Sequence, residues 1–395
     1  AMGSANVSDM QLYAGKNSFF AKMGAVCAND YAEKIKACIE KDRLLTEQFH
    51  QLLDGKWDGM ALSEHIGFVN WNDEECRYPL MTFIEPANKP RIFAMSEGGD
   101  ACTAGGDWTK KLIVIRQFLD PAVSEASLLL FGGSKEKVPY HIECKSTWVL
   151  PGKMQGVTDR KEVLTVQIKR DEITDWENDH RAYDFEVCYE GGRIPVKILL
   201  EKDLPGCPAE AFYETDGMLS VEAEHFIRNE KTEAGAFYVL PEYGKTLSGV
   251  KAYPQTKTFF ETAEQIRQAP KLTYQIYVRE AGKYEMLCYT APANPVRQGG
   301  SVYFGCAVNG NTPQKIEMIP DGYRSGEPSC VEWAKMVVDQ IRIVRVPVTL
   351  QGGENEIGIY AGTPGFLLEK LTFVRKGKHL PESGLGLPER RRTNR

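Results

Sequence analysis

Short segments with alternating apolar side chains fill the chain from about residue 91 to residue 374, and turns rich in glycine or proline separate them. Alternation with a period of two predicts β-strands, and many short strands of this kind pack into sandwiches. Residues 91–203 predict an immunoglobulin-like sandwich with Trp148 in its interior. Residues 217–376 predict a jelly-roll sandwich, in which Gly352-Gly353 forms a tight hairpin turn between two strands. The predicted fold class is therefore mainly β with an N-terminal helical segment.

That helical segment is assigned to residues 17–90. Apolar side chains recur in steps of three and four from Asn17 to Gly55, which predicts one bent helix or two antiparallel helices, with a break near Asp42. Asn17 suits an N-cap and Gly55 suits the position after the last helical residue. Helices of this kind need a partner surface to bury a second face.

Two tryptophans, Trp57 and Trp71, lie in the loop-rich part of the same segment. Two interpretations stay open. The rings cover a hinge between helix and sheet, or they form the wall of a sugar-binding cleft, since tryptophan faces stack on pyranose rings.

The remaining segments are predicted to lack regular structure. Residues 1–16 begin with Ala-Met-Gly-Ser, which has the appearance of a cloning-vector remnant, and are assigned as disordered. Residues 204–216 contain Leu-Pro-Gly-Cys-Pro and are assigned as a linker. Residues 377–395 are basic and polar, which predicts a frayed tail or a docking arm.

Length and composition narrow the classes of function. With 395 residues the chain is long enough for two or three domains, and its net charge of -6 argues against nucleic acid as the main partner. No apolar run reaches the roughly 20 residues that a membrane span needs. Ten cysteines without a C-x-x-C pair predict small buried thiols, which favours a reducing compartment such as the cytoplasm. Secretion stays open because of the apparent vector remnant.

Catalytic signatures are missing from the sequence. It contains neither a G-x-S-x-G elbow nor an H-E-x-x-H motif, and no alternation of strands and helices indicates a barrel. An acidic group surrounds Trp176, and an exposed turn is favoured over a metal site because the spacing matches no standard ligand loop. The acidic group comprises Asp175, Glu177, Asp179 and His180.

Several motifs together carry a family resemblance. Residues 220–226 read Ser-Val-Glu-Ala-Glu-His-Phe, residues 352–357 read Gly-Gly-Glu-Asn-Glu-Ile, and residues 364–371 read Pro-Gly-Phe-Leu-Leu-Glu-Lys-Leu. Upstream, residues 55–60 read Gly-Lys-Trp-Asp-Gly-Met and residues 65–68 read His-Ile-Gly-Phe. In this order the motifs resemble the C-terminal region of family 115 glycoside hydrolases, the xylan α-1,2-glucuronidases.

The resemblance implies a non-catalytic accessory region. In the family, an N-terminal domain and a (β/α)8 barrel with the catalytic acid and base precede this region. The chain would support that barrel, pair subunits in a homodimer and contact xylan-type polysaccharide. The end of the chain, Leu380 to Glu389, departs from the closing motif of the family, which leaves its role in subunit contacts open.

Glu222 and Glu224 alternate with apolar residues in the predicted strand Leu219–Phe226, which would place both carboxylates on one face. This start is also similar to carbohydrate-binding modules of galactose-binding-like fold. That resemblance implies that Glu222, Glu224 and Glu369 hold a structural calcium ion through oxygen ligands; the alternative is that they face solvent. Candidate sugar-stacking aromatics, each with the alternative of a rim or core position, are Tyr238, Tyr243, Trp333 and Tyr360.

Two other functions stay open beside the accessory region. One is a purely structural assembly of sandwiches without an open aromatic cleft. The other is a self-contained hydrolase with an interdomain site that uses carboxylates such as Asp175 or Glu177.

Overall fold

The computed structural model describes residues 2–61, 63–70, 72, 75–99, 102–104, 112–174, 176, 183–297, 300–327 and 329–392. The chain divides into two compact units, Ala1–Lys202 and Asp203–Arg395. In the described residues no helix is both long and apolar enough to cross a membrane. The cysteines are free thiols, and most of them are buried.

Two helices begin the first unit, α1 at Met2–Met23 and α2 at Cys27–Gly55. The chain reverses between them at Gly24, whose φ of +81° few other residues adopt. The helices pack through Met10, Ile35 and Ile39, all buried. The backbone leaves the helical conformation at Leu52, before the assigned end of α2.

This arrangement differs from the prediction at three places. Residues 2–16 are helical and not disordered, and α2 continues through Asp42 without a break. Asn17 is not an N-cap, because its buried amide lies within α1 and donates to Ala28 O at 2.9 Å and to Thr82 O at 2.8 Å. A polar side chain that typifies helix starts here joins two helices and a loop instead.

The rest of the first unit is a sandwich of two sheets. One sheet has the order β2-β1-β4-β8-β6 and the other has the order β3-β10-β9-β5-β7. Trp148 is only partly buried at the side of the core between them, and not in its interior. The strands are β1 Ile92–Ser96, β2 Cys102–Ala104, β3 Ile113–Ile115, β4 Glu125–Gly132, β5 Val138–Cys144, β6 Val149–Pro151, β7 Gln155–Thr158, β8 Lys161–Ile168, β9 Phe185–Tyr189 and β10 Gly192–Ile198.

The second unit is also a two-sheet sandwich. One sheet has the order β11-β16-β21-β18-β19 with β13 beside β16, and the other has the order β14-β15-β22-β17-β20 with β12 beside β22. Two short helices, α3 at Ala263–Arg267 and α4 at Val331–Asp339, interrupt the strand sequence. The strands are β11 Phe212–Tyr213, β12 Met218–Glu222, β13 Arg228–Glu230, β14 Ala236–Leu240, β15 Gly249–Tyr253, β16 Lys271–Val278, β17 Gly282–Thr290, β18 Val302–Val308, β19 Gln314–Ile319, β20 Arg342–Leu350, β21 Gly353–Tyr360 and β22 Leu368–Arg375. The predicted fold class, mainly β with N-terminal helices and a jelly-roll sandwich, is confirmed.

The linker and the tail are more ordered than predicted. Within residues 204–216, β11 pairs in parallel with β16, and the returning tail bridges it at Arg391. The Arg391 side chain also contacts Glu210, and that of Arg392 donates to Leu204 O at 3.0 Å. The basic residues of the tail therefore satisfy local acceptors as far as Arg392.

The turn at Gly352-Gly353 is not a hairpin. It connects β20 to β21, and these strands belong to different sheets. Asn355, 2% exposed, closes the turn, since its amide oxygen accepts from Gln351 N at 3.0 Å and its amide nitrogen donates to Gln351 O at 2.7 Å. The same oxygen accepts from the Asn309 side chain at 3.0 Å. A side-chain amide thus supplies hydrogen bonds that a second strand would supply in a hairpin.

We expect Asn355→Ala to lower the free energy of unfolding by about 1–3 kcal/mol, because it removes the hydrogen bonds that a buried amide makes to partly buried backbone groups of the turn. Urea unfolding of the full chain, followed by circular dichroism, measures the change. Gln314→Ala, at an exposed position at the start of β19, is the control and should shift stability by less than about 0.5 kcal/mol. Equal stability of the Asn355 variant and the parent would contradict this role.

Candidate functional site

Loops at one end of the second sandwich enclose a cavity of about 240 Å³, here called the loop cavity. The segments come from before α3, from between β17 and β18, from the starts of β18 and β19, and from after β19 and β21. Each segment contributes one to four residues. The lining residues are Phe259, Glu261, Val296, Arg297, Gly300, Ser301, Tyr303, Lys315, Asp321 and Thr363.

Two cations lie over two aromatic rings in this cavity. The Lys315 ammonium is 3.6 Å from the centre of the Tyr303 ring, and the Arg297 guanidinium is 4.7 Å from the centre of the Phe259 ring. Arg297 also pairs with Glu261 at 2.9 Å. Both side chains of that ion pair are more than half exposed, so the pair contributes little to stability and can open for another partner.

Tyr303 is held in the cavity by packing and by a backbone hydrogen bond. Tyr303 is buried, and its backbone N–H donates to the Thr363 hydroxyl at 3.0 Å. Gly362 permits this approach, because a Cβ there would lie 2.2 Å from Tyr303 O. Burial raises the pKa of the Tyr303 phenol, and the charges of Glu261 and Asp321 act in the same direction. The phenol therefore stays protonated at neutral pH and keeps its hydrogen-bond donor.

The predicted aromatic residues lie elsewhere. Trp333 on α4 and Tyr360 at the end of β21 are partly buried against the core of the second unit. Tyr238 on β14 and Tyr243 in the following turn are 55% and 54% exposed. None of these four lines the loop cavity. Tyr238 and Tyr243 therefore have the exposure that a stacking platform needs. Trp333 and Tyr360 lie instead near the core, which is the alternative given for them above.

In the first unit, Trp57 is 37% exposed in the turn after α2, and its ring stacks on Phe49 with centres 6.4 Å apart. That contact matches a hinge covered by its own aromatic residues. The other predicted tryptophan, Trp71, and the acidic group of Asp175, Glu177, Asp179 and His180 lie outside the described residues.

The predicted pair of glutamates does not share a strand face. β12 ends at Glu222, and the His225 N–H donates to Glu222 O in a turn that carries Glu224 away from the strand. The Glu222 carboxylate is buried, pairs with the Lys370 ammonium at 3.0 Å and accepts from the Thr246 hydroxyl at 2.8 Å. Glu224 lies instead 3.8 Å from the His225 ring.

Glu369 lies near Glu222 on the adjacent strand β22. Its carboxylate accepts from Lys245 N at 2.9 Å. Burial raises the pKa of Glu369, and the negative charge of Glu222 adds to the effect. Oxygen ligands with uncompensated charge suit calcium, although Lys370 already neutralises Glu222. Calcium binding thus stays a prediction. The fold brings Glu222 and Glu369 close together, whereas Glu224 lies away from them.

The loop cavity gave no signal in the sequence. Phe259, Arg297 and Lys315 are single residues in separate turn segments, without a shared spacing. Only the turn signals between strands could have indicated that such loops exist, and they do not indicate which loops meet.

Residues 211–389 match the family description "Glycosyl hydrolase family 115 C-terminal domain". Among solved structures, the chain is similar to a β-(1,4)-mannanase of Podospora anserina with a family 35 carbohydrate-binding module, at 17% identity and a TM-score of 0.27, over 42% of this chain and 29% of that one. It is similar to a family 115 4-O-methyl-α-glucuronidase with specificity for decorated arabinogalactans, at 14% identity and a TM-score of 0.31, over 45% and 20%.

A family 35 carbohydrate-binding module from Clostridium thermocellum is similar at 21% identity and a TM-score of 0.27, over 39% of this chain and 97% of the module. The chain covers less than a third of the mannanase and of the glucuronidase. No curated protein sequence matches it.

Glu369→Gln should change how stability depends on pH. Since the folded chain raises the pKa of Glu369 above its usual value of 4.5, the folded state holds that proton more tightly than the unfolded state. The contribution of Glu369 to stability therefore falls as pH rises above 4.5 and should be absent in the glutamine variant. Denaturation midpoints of both proteins from pH 4.5 to 7 measure the difference; parallel profiles would contradict it.

The same two proteins test the calcium prediction. At pH 7, calcium should raise the thermal midpoint of the parent, EDTA should reverse the rise, and Glu369→Gln should reduce it. If calcium changes the thermal midpoint of neither protein, calcium binding is excluded, and the predicted pH effect is unaffected.

Proposed function

Because residues 211–389 match the glycosyl hydrolase family 115 C-terminal domain, we propose that the chain is a non-catalytic accessory region and that it binds a glucuronoxylan-type polysaccharide through the loop cavity. The observation that carries the proposal is the combination of Arg297, Lys315 and two aromatic rings in one small cavity. Sugar sites need apolar ring surface together with a few convergent polar groups.

The size of the cavity favours a branch over the main chain of the polysaccharide. At about 240 Å³ it is slightly smaller than ordinary ligand pockets of about 300–1,000 Å³. One uronic acid branch suits such a cavity better than a run of xylose units does.

Arg297 supplies the recognition of charge. Its guanidinium is 72% exposed, and the fork of donors that now engages Glu261 matches any carboxylate. A uronic acid would replace Glu261 as the partner of Arg297. Lys315 and Tyr303 line the same cavity, and the Lys315 ammonium donates to Glu261 O at 3.3 Å. Exchanging one exposed ion pair for another costs little, so the sugar hydroxyls and ring contacts would decide the affinity.

We predict that the chain is retarded by glucuronoxylan in affinity gel electrophoresis, and less by the same polysaccharide after reduction of its carboxyl groups. Arg297→Ala should weaken binding about tenfold or more, because it removes the partner of the uronic acid and leaves the Glu261 carboxylate to repel that acid.

Arg345→Ala is the matched control. Arg345 is 62% exposed and pairs with Glu285 away from the loop cavity, so its removal should leave retardation unchanged. Equal retardation of the parent and Arg297→Ala would exclude the cavity. Retardation by no polysaccharide would favour the purely structural assembly, and release of uronic acid by this chain would favour the self-contained hydrolase.

A second role concerns the helices. The end of α2 and the following turns expose large apolar side chains, including Leu53 at 70% and Met60 at 54%. Apolar surface of this kind marks contact sites. We propose that it packs against the catalytic barrel of the same protein, and that subunits pair as a homodimer.

We expect residues 50–60 to exchange amide hydrogen more slowly in a protein that includes the barrel than in this chain. Hydrogen-exchange mass spectrometry measures the difference, and light scattering of the same samples gives the subunit number. Unchanged exchange would contradict the barrel contact, and a monomeric mass would contradict pairing.

A further inference from the structure

Three side chains of types that bind metal ions meet beside α2. None of the three lines the loop cavity. The His65 Nε2 atom lies 3.1 Å and 3.0 Å from the two carboxylate oxygens of Asp42. The Cys76 sulfur lies 3.4 Å from His65 Nδ1 and 3.9 Å from Nε2. One ligand atom from each residue lies within 4.8 Å of the others.

These donors match one class of ion. Histidine nitrogen, cysteine sulfur and aspartate oxygen are the ligands of zinc, whereas calcium and magnesium take oxygen alone. Zinc bond lengths imply ligand separations of about 3.3 Å between nitrogen and oxygen and about 3.5 Å between nitrogen and sulfur in a tetrahedral site. The distances of 3.0 Å and 3.9 Å from His65 Nε2 differ from these by a few tenths of an ångström. We propose that Asp42, His65 and Cys76 bind a zinc(II) ion.

The chain holds the three ligands in place by independent contacts. Asp42 is 3% exposed, and the Tyr78 hydroxyl donates to its Oδ2 at 3.1 Å. Such a hydrogen bond orients a ligating carboxylate. The Arg77 N–H donates to Ile66 O at 2.9 Å, which brings the segment that carries Cys76 alongside His65.

The site has room for a fourth ligand. Asp42, His65 and Cys76 line a cavity of about 580 Å³ together with His50 and Glu75. The His65 side chain is 45% exposed. Three protein ligands beside an open cavity give the arrangement in which zinc keeps a water or another exchangeable donor.

A second group with nearly the same donor types serves as an internal comparison. His141, Glu143 and Cys188 also come within 4.8 Å on β5 and β9. Here Arg193 already holds Glu143 at 2.6 Å, and burial raises the pKa of the Cys188 thiol to about 11. The Arg193 guanidinium already pairs with the carboxylate, and the Cys188 thiol resists ionisation. Both effects oppose metal binding, so we expect this group to bind no metal ion.

The test is metal titration of the full chain after removal of metal with a chelator. Competition with a chromophoric chelator should give one equivalent of bound zinc. Cobalt(II) in place of zinc should give a thiolate charge-transfer band that Cys76→Ser abolishes. Tyr78→Phe, which keeps the ring and loses the hydrogen bond to Asp42, should weaken zinc binding by about 10–100-fold, and His65→Ala should weaken it further.

Cys188→Ser and His141→Ala are the controls and should bind zinc as the parent does. Circular dichroism of each variant establishes that it is folded. A parent chain without bound zinc, or Cys76→Ser and His65→Ala variants with the affinity of the parent, would overturn the proposal. Either result leaves the saccharide experiment unaffected.

Discussion

The buried ion pair between Glu222 and Lys370 sets the register of two paired strands in the second unit. The two residues face each other across β12 and β22, and both side chains are 5% exposed or less. A buried pair of this kind adds little net stability, but a shift of register by one residue would leave both charges without partners. The Lys370 ammonium also donates to Leu385 O at 3.0 Å, which attaches the tail to the same strand. Since the loop that precedes β22 carries Thr363, the register of this strand also positions one wall of the loop cavity.

Most strands follow from the sequence because alternation is a local property. The alternating segments between about residues 91 and 374 do form strands, from β1 at Ile92–Ser96 to β22 at Leu368–Arg375. The errors occur where a distant contact decides. Asn17 has the side chain of an N-cap, but its partners at Ala28 and Thr82 are 11 and 65 positions away. The turn at Gly352 resembles a hairpin locally, yet the sheet that each strand joins depends on pairings elsewhere in the chain.

The sites were harder to predict than the fold, because residue type alone identifies neither burial nor neighbours. Trp333 and Tyr360 have the side chains of a sugar platform, but they lie partly buried against the core. Glu222 and Glu224 alternate in sequence, but the strand ends between them. The loop cavity draws its residues from segments spread between positions 259 and 363. No periodicity connects such residues, so only the folded chain brings Arg297 and Lys315 to the same cavity.

Nearby positive charges distinguish groups of metal-ligand side chains that have similar donor atoms. His141, Glu143 and Cys188 match the composition of a zinc site almost as well as Asp42, His65 and Cys76 do. The first group lies on a sheet surface where Arg193 supplies a permanent positive charge at the place a metal would take. In the second group the Asp42 carboxylate accepts from a neutral phenol and faces an imidazole, which coordinates metal when it is neutral. The same reasoning applies to Glu222, whose partner Lys370 has to be displaced, or supplemented, by any calcium ion. Whether a carboxylate already has its cation therefore decides between a structural ion pair and a binding site.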